Sequence, residues 1–154
     1  LPYMSKINSM RLVLLFYFLL IPYILMSQHD TVYFKNLNDE ERKIIVNKGT
    51  EPPHSGRYVD HFTTGTYCCK ACGAELYNST HKFPSSCGWP SFDGEIKDAI
   101  KRKADISFGM TRTEILCAKC GGHLGHVFEG EQLTDKNIRH CVNSISLIFI
   151  AEIE

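Results

Sequence analysis

Cys69-Lys70-Ala71-Cys72-Gly73 and its counterpart Cys117-Ala118-Lys119-Cys120-Gly121 decide how this chain folds. Each places two sulfurs on a tight turn, with a glycine after the second that lets the backbone wrap around an ion. Two such turns offer four thiolates, the tetrahedral set of a structural zinc site. The stretch between Cys72 and Cys117 exceeds a short zinc-finger spacing, so one Zn2+ per chain is expected to join two distant hairpins as a crosslink. Four protein ligands leave no open position for substrate or water, so the expected metal is structural. The same pairs could also serve as two dithiol redox centres or two disulfides. Cys68 adjoins Cys69, but only Cys69 keeps the two-residue gap to Cys72, which leaves Cys68 as a spare thiol.

Around these turns the chain reads as short strands: Thr66 to Cys69, Glu75 to Tyr77, Thr113 to Leu116, Val127 to Phe128, and a long run from Arg139 to Ile150. The expected fold is mainly β, with antiparallel sheets. Asn38 followed by Glu41 is a capping-box pattern, and Ile44, Ile45 and Gly49 extend it to a helix from about Asn38 to Lys48. Pro52, Pro53 and Gly56 make the next stretch a loop. Charged residues from Asp98 to Ala104 suggest a helical turn or a mobile loop. Nothing divides residues 36–151, which are read as one catalytic domain.

Seventeen basic and seventeen acidic residues in 154 cancel, which removes the basic field a nucleic-acid binder needs. Leu12 to Met26 carries no charge and follows Lys6 and Arg11. Residues 1–30 therefore read as a hydrophobic signal peptide or membrane anchor, with residues 10–27 as the tether. Export or membrane tethering is expected on that reading, with a cytoplasmic location as the alternative.

Two cysteines remain. Cys141 opens Cys141-Val142-Asn143-Ser144, where a strand period of two puts Cys141, Asn143, Ile145, Leu147 and Phe149 on one face. Arg139 and His140 lie close enough in sequence to favour its thiolate, the nucleophilic form. Cys87 sits in Ser85-Ser86-Cys87-Gly88-Trp89-Pro90, a small-residue loop able to swing. Trp89 offers a flat apolar wall for a soft sulfur-bearing side chain. The glycines of Gly121-Gly122-His123-Leu124-Gly125-His126 let both imidazoles approach one site and supply a proton. A buried structural cysteine, an ordinary core aromatic and non-catalytic histidines are the plainer readings of the same residues.

Together, Gly49-Thr50-Glu51-Pro52-Pro53, Cys69-x-x-Cys72-Gly73, Gly88-Trp89-Pro90-Ser91-Phe92, Arg112-Thr113-Glu114, Cys117-x-x-Cys120, His123-Leu124-Gly125-His126-Val127-Phe128 and Arg139-His140-Cys141-Val142-Asn143-Ser144 closely resemble the methionine-R-sulfoxide reductase family, MsrB. The resemblance runs from about Leu37 to Ile150. It implies two twisted, tent-like antiparallel sheets with zinc on Cys69, Cys72, Cys117 and Cys120, distant from the active site. It further implies Cys141 as nucleophile and Cys87 as recycling thiol. Trp89, Phe128, His123, His126 and Asn143 would shape the sulfoxide pocket. Methionine-R-sulfoxide in peptides or proteins would be the substrate, thioredoxin or an equivalent dithiol the reductant, and a monomer the working form. His140 departs from the family, which more often has Tyr or Phe there, and could tune the pocket. Two rivals from other classes, a zinc-stabilised binding module and a zinc-ribbon nucleic-acid binder, do not need Cys87, Cys141, Asn143 and the two histidines.

Overall fold

The two cysteine turns are the tips of two hairpins. The first joins β1 (Gly65–Cys69) to β2 (Glu75–Asn78), and the second joins β6 (Arg112–Cys117) to β7 (His123–Glu129) in a computed structural model that describes residues 32–153. Their backbones close alike: Gly73 N donates to Cys69 O at 2.8 Å and Gly121 N to Cys117 O at 2.9 Å. Gly73 and Gly121 stand at φ 71° and 75°, a left-handed conformation that costs glycine little.

Chain contacts separate residues 1–35 from residues 36–154. Almost all of the first unit, including the apolar segment 10–27 read as signal or tether, lies outside the described residues. Among the described residues no helix is long and apolar enough to cross a membrane.

In the second unit the remaining strands are β3 (Lys82–Phe83), β4 (Ser91–Phe92), β5 (Ile100–Asp105), β8 (Ile138–Val142) and β9 (Leu147–Ala151). They form a three-stranded sheet, β2-β1-β9, and a six-stranded one, β3-β4-β8-β7-β6-β5. Every described pairing is antiparallel. Tyr67, Tyr77 and Phe92 fill the space between them, with Tyr77 stacked on Phe92 at 4.3 Å and Tyr67 edge-on to Phe92 at 5.1 Å.

Three sequence expectations need correction. The charged stretch expected as a turn or loop is strand β5, at the edge of the six-stranded sheet, with Lys101, Arg102 and Lys103 exposed. Charge on an edge strand keeps it from pairing with another chain, so the polarity that masked the strand is what an edge requires. The helix α1 spans Asp39–Ile45 with the capping box formed, but ends before Lys48. Lys48 turns left-handed at φ 58°, and Gly49 N donates back to Lys43 O.

The run from Arg139 to Ile150 is two strands in different sheets, joined by a 3-10 turn at Ser144–Ser146. The buried Glu51 carboxylate accepts the N–H groups of Ser144 and Ile145 at 2.6 and 3.1 Å, holding that break open. The single face expected from Cys141 to Phe149 therefore does not exist.

Candidate active site and metal centre

Closing the two hairpins against each other gathers their four sulfurs. Cys69 and Cys120 Sγ lie 3.6 Å apart, as do Cys72 and Cys117, and all four ligand atoms fall within 4.8 Å of one another. A metal–sulfur bond of ~2.3 Å puts tetrahedral sulfurs about 3.8 Å apart, so the cluster has the dimensions of a four-thiolate site. Gly122 N points at Cys120 Sγ from 3.4 Å, the backbone support that ligating sulfurs commonly receive. Cys68 is fully buried and stands outside the cluster, its thiol pushed up by burial.

Elsewhere, strands β7 and β8 and the loops beside them enclose a cleft of about 130 Å³ lined by Thr50, Trp89, Arg112, Gly125, His126, Phe128, Cys141 and Asn143. Cys141 lies opposite His126 on β7 and Ser91 on β4. The strands close tightly here, because a Cβ on Gly125 would collide with the Cys141 carbonyl oxygen. Trp89 is fixed by its indole N–H, which donates to the Glu51 carbonyl at 3.0 Å. The Asn143 side chain accepts from Glu51 N at 3.0 Å and donates to Leu124 O at 3.1 Å. Glu51 thus positions both walls of the cleft.

Cys87 sits behind Cys141, with the two sulfurs 3.9 Å apart. A disulfide of about 2.05 Å needs only a modest swing of the Cys87 loop. Cys87 is pulled down to about 4, first by its hydrogen bond with Cys141, against the opposing effect of burial, and further by the Ser85 and Ser91 hydroxyls at 2.9 and 3.4 Å. The shared hydrogen bond and burial push Cys141 up, and Arg139 opposes them. The opposite directions leave the thiolate on Cys87 and the proton on Cys141 in the resting pair, along the contact between the two sulfurs.

The expectation that Arg139 and His140 both favour the Cys141 thiolate holds for Arg139 in direction only. Arg139 is clamped by Glu131 through two bonds of 2.7 and 2.8 Å and lies over the Phe128 ring at 4.6 Å. His140 does not line the cleft. It is buried beside the Tyr77 hydroxyl at 3.2 Å, Arg102 at 3.3 Å and Glu95 at 3.3 Å. Burial lowers it to about 4.

The two other histidines also separate. His126 lines the cleft, and its Nε2 is 2.8 Å from the Asp105 carboxylate. Asp105 is held well below the usual carboxylate range, first by Ser107 and then by His126 and Arg112, so it stays ionised beside the imidazole. His123 is buried behind the cleft wall, 5.6 Å from the His126 ring, with Nδ1 on Glu114 at 2.8 Å. Burial pulls its pKa down, which keeps it neutral. Sequence reading gave no role to Thr50, Arg112 or Asp105. Thr50 and Arg112 lay inside quoted motifs, whereas Asp105 had no local signal and reaches His126 only through the pairing of β5, β6 and β7.

A SelR domain model matches residues 37–151, spanning both the cleft and the four-cysteine cluster. The chain belongs to the SelR domain family. Its relatives within and around that family include "Peptide methionine sulfoxide reductase MsrB" of Teredinibacter turnerae, 48% identical over 133 residues, 82% of this chain and 97% of that protein. "Peptide methionine sulfoxide reductase B2, chloroplastic" of Arabidopsis thaliana is 52% identical over 117 residues, 75% of this chain and 57% of that protein. A solved Mis18 "Yippee-like" domain is similar over 60% of this chain and 100% of its own, at TM-score 0.49 and 14% identity. For a SelR domain, the architecture described above keeps the metal-sized sulfur cluster at the hairpin tips and the paired thiols Cys87 and Cys141 in the cleft region.

Proposed function

We infer that Cys141 is the nucleophile through which this chain, a peptide-methionine (R)-S-oxide reductase, reduces its substrate. The observation that carries the assignment is that Cys141 lines the cleft while Cys87 stands behind it, 3.9 Å away. Cys141 attacks the sulfoxide sulfur as its proton passes to the Cys87 thiolate 3.9 Å away, and a proton reaches the sulfoxide oxygen from His126, which Asp105 holds through Nε2. Methionine leaves as the thioether, and the oxygen remains on Cys141 as a sulfenic acid.

Cys87 then condenses with the sulfenic acid, releasing water and forming a Cys87–Cys141 disulfide. A dithiol of thioredoxin type reduces that bond by exchange. The neutral, buried His123 supports Glu114 and the cleft wall. Trp89 and Phe128 present apolar faces to the substrate methyl group, and the fixed placement of Trp89, Asn143 and His126 makes the cleft handed. That handedness suits one sulfoxide epimer.

Cys69, Cys72, Cys117 and Cys120 would hold one structural Zn2+, tying the two hairpins together. The domain is proposed to work as a monomer. Residues 10–27 would export or tether it, in which case an extracytoplasmic relay supplies the electrons. The alternative is cytoplasmic, and a reporter fused after residue 30 distinguishes the two by where its activity is found.

Purified protein incubated with separate R and S epimers of a methionine-sulfoxide peptide and dithiothreitol, beside Cys141→Ser, tests the reaction by mass. Reduction of the R epimer alone, lost in the variant, is expected. Reduction of neither epimer by zinc-loaded, folded protein would point to a binding module instead.

A further inference from the structure

The hairpin between β5 and β6 carries an apolar tip that the reaction does not use. Ile106 is 79% exposed, Phe108 89% and Met110 47%. Single exposed apolar residues are ordinary, but three within five residues concentrate apolar surface on one turn. Phe108 stands at φ 55°, a conformation a bulky residue seldom adopts, so the turn presents its ring outward at some cost in backbone energy.

Ile106 and Phe108 line the apolar end of a groove of about 560 Å³ whose other side carries Lys48, Lys103 and Glu114; Met110 stands just outside it, and Thr50, Arg112 and His126 line both the groove and the catalytic cleft. The groove is therefore continuous with the site of chemistry. The cleft, at about 130 Å³, is well below the roughly 300 Å³ at which pockets begin to hold whole ligands, and it takes a single side chain. A polypeptide that inserts a methionine sulfoxide must lay its neighbouring residues outside the cleft. The groove is a continuous surface ready to receive them.

We propose that Ile106, Phe108 and Met110 form the docking surface for apolar residues flanking the methionine sulfoxide in an extended, unfolded polypeptide substrate. The proposal rests on the reductase reading above. An unfolded chain exposes the apolar side chains that a native protein buries, and these are what an exposed Phe and Ile recognise without reading sequence. Met110 adds an unbranched, adaptable side chain of the kind found on promiscuous binding surfaces.

The tip is also coupled to the chemistry. Asp105 accepts Ser107 N at 2.9 Å and Arg112 Nη2 at 2.8 Å at the hairpin base, and the same carboxylate holds His126 at 2.8 Å.

The test compares kcat/KM for two R-sulfoxide substrates: N-acetyl-methionine sulfoxide, which has no flanking side chains, and a peptide with leucine and phenylalanine two and three residues from the sulfoxide. With Ile106→Ser/Phe108→Ser, kcat/KM on the peptide should fall about tenfold, mainly through KM, while the small substrate stays within about twofold. Phe108→Leu should restore most of the peptide rate. Equal losses on both substrates would make the tip a support for the site, and no loss on the peptide would remove it as a docking surface. Self-association of the wild type that the double variant abolishes, with peptide kinetics unchanged, would assign the patch to a second copy and overturn the proposal. If the wild type reduces neither substrate, the reductase reading itself fails.

Discussion

Six cysteines are divided between two sites in this molecule, and the difference lies in what surrounds the sulfur. At the hairpin tips, Cys69, Cys72, Cys117 and Cys120 sit at tetrahedral spacing, with backbone N–H support at Cys120. At the cleft, Cys141 and the Cys87 behind it are only two, at 3.9 Å, with the Ser85 and Ser91 hydroxyls against Cys87 and Arg139 acting on Cys141. Four sulfurs at that spacing fill a metal's shell and have nothing left to give. A thiolate beside a thiol can exchange a proton and then a bond. A thiol's role is set by its neighbours and its freedom to move, not by its residue type.

The comparison breaks most sharply at Cys141. Cys141→Ser should abolish reduction altogether while leaving the melting temperature and metal content near wild type, as a coupled peptide assay and calorimetry would read. Cys87→Ser should keep a single stoichiometric turnover and lose thioredoxin-driven cycling. Full steady cycling in that variant would remove Cys87 from the recycling step.

Next in size is the other site. Cys69→Ser, or stripping the metal with a strong chelator, should lower unfolding free energy by several kcal/mol, since binding energy at a structural zinc is folding energy. Denaturant titration measures it. Activity should fall only in step with the folded fraction, which separates the crosslink from the chemistry.

His140 sharpens the boundary between Cys141 and the core behind it. The fold holds this imidazole neutral, with its pKa lowered to about 4, whereas an unfolded chain protonates it near pH 6.5. Its stabilising share is thus present above about pH 6.5 and is lost as pH falls toward 4. His140→Phe should flatten that acid limb of the stability profile without moving the preferred epimer.

The smallest effect belongs to the seventh cysteine. Cys68→Ala, buried and outside both sites, should cost about 1 kcal/mol of stability and change neither metal stoichiometry nor turnover. A measurable loss of cycling would draw Cys68 into the redox chemistry.

The two cysteine hairpins were legible because everything they need is local: two sulfurs, a short gap and a glycine that can turn left-handed. The capping box of α1 was legible for the same reason. Strand β5 was hidden because Lys101, Arg102 and Lys103 read as a loop, and only its place at a sheet edge explains their charge.

The break after Asn143 was hidden by an apolar alternation that continues into β9, and its cause, the Glu51 carboxylate, lies 93 residues away in sequence from Ser144. Cys87, Cys141, His126, Asn143 and Trp89 could be named as candidates from their surroundings. The partition of His126 into the cleft and His123 behind it could not, because both follow glycine-rich sequence, and only the pairing of β5, β6 and β7 puts Glu114 on one and Asp105 beside the other.

The most direct measurement is a single-turnover trap. Cys87→Ser would be mixed with one equivalent of methionine-R-sulfoxide peptide in the presence of dimedone, then digested and mapped by mass. A dimedone adduct on Cys141 and nowhere else is expected, in an amount matching the methionine formed. An adduct on Cys68 or on a hairpin cysteine, or methionine formed with no adduct on Cys141, would contradict Cys141 as the nucleophile.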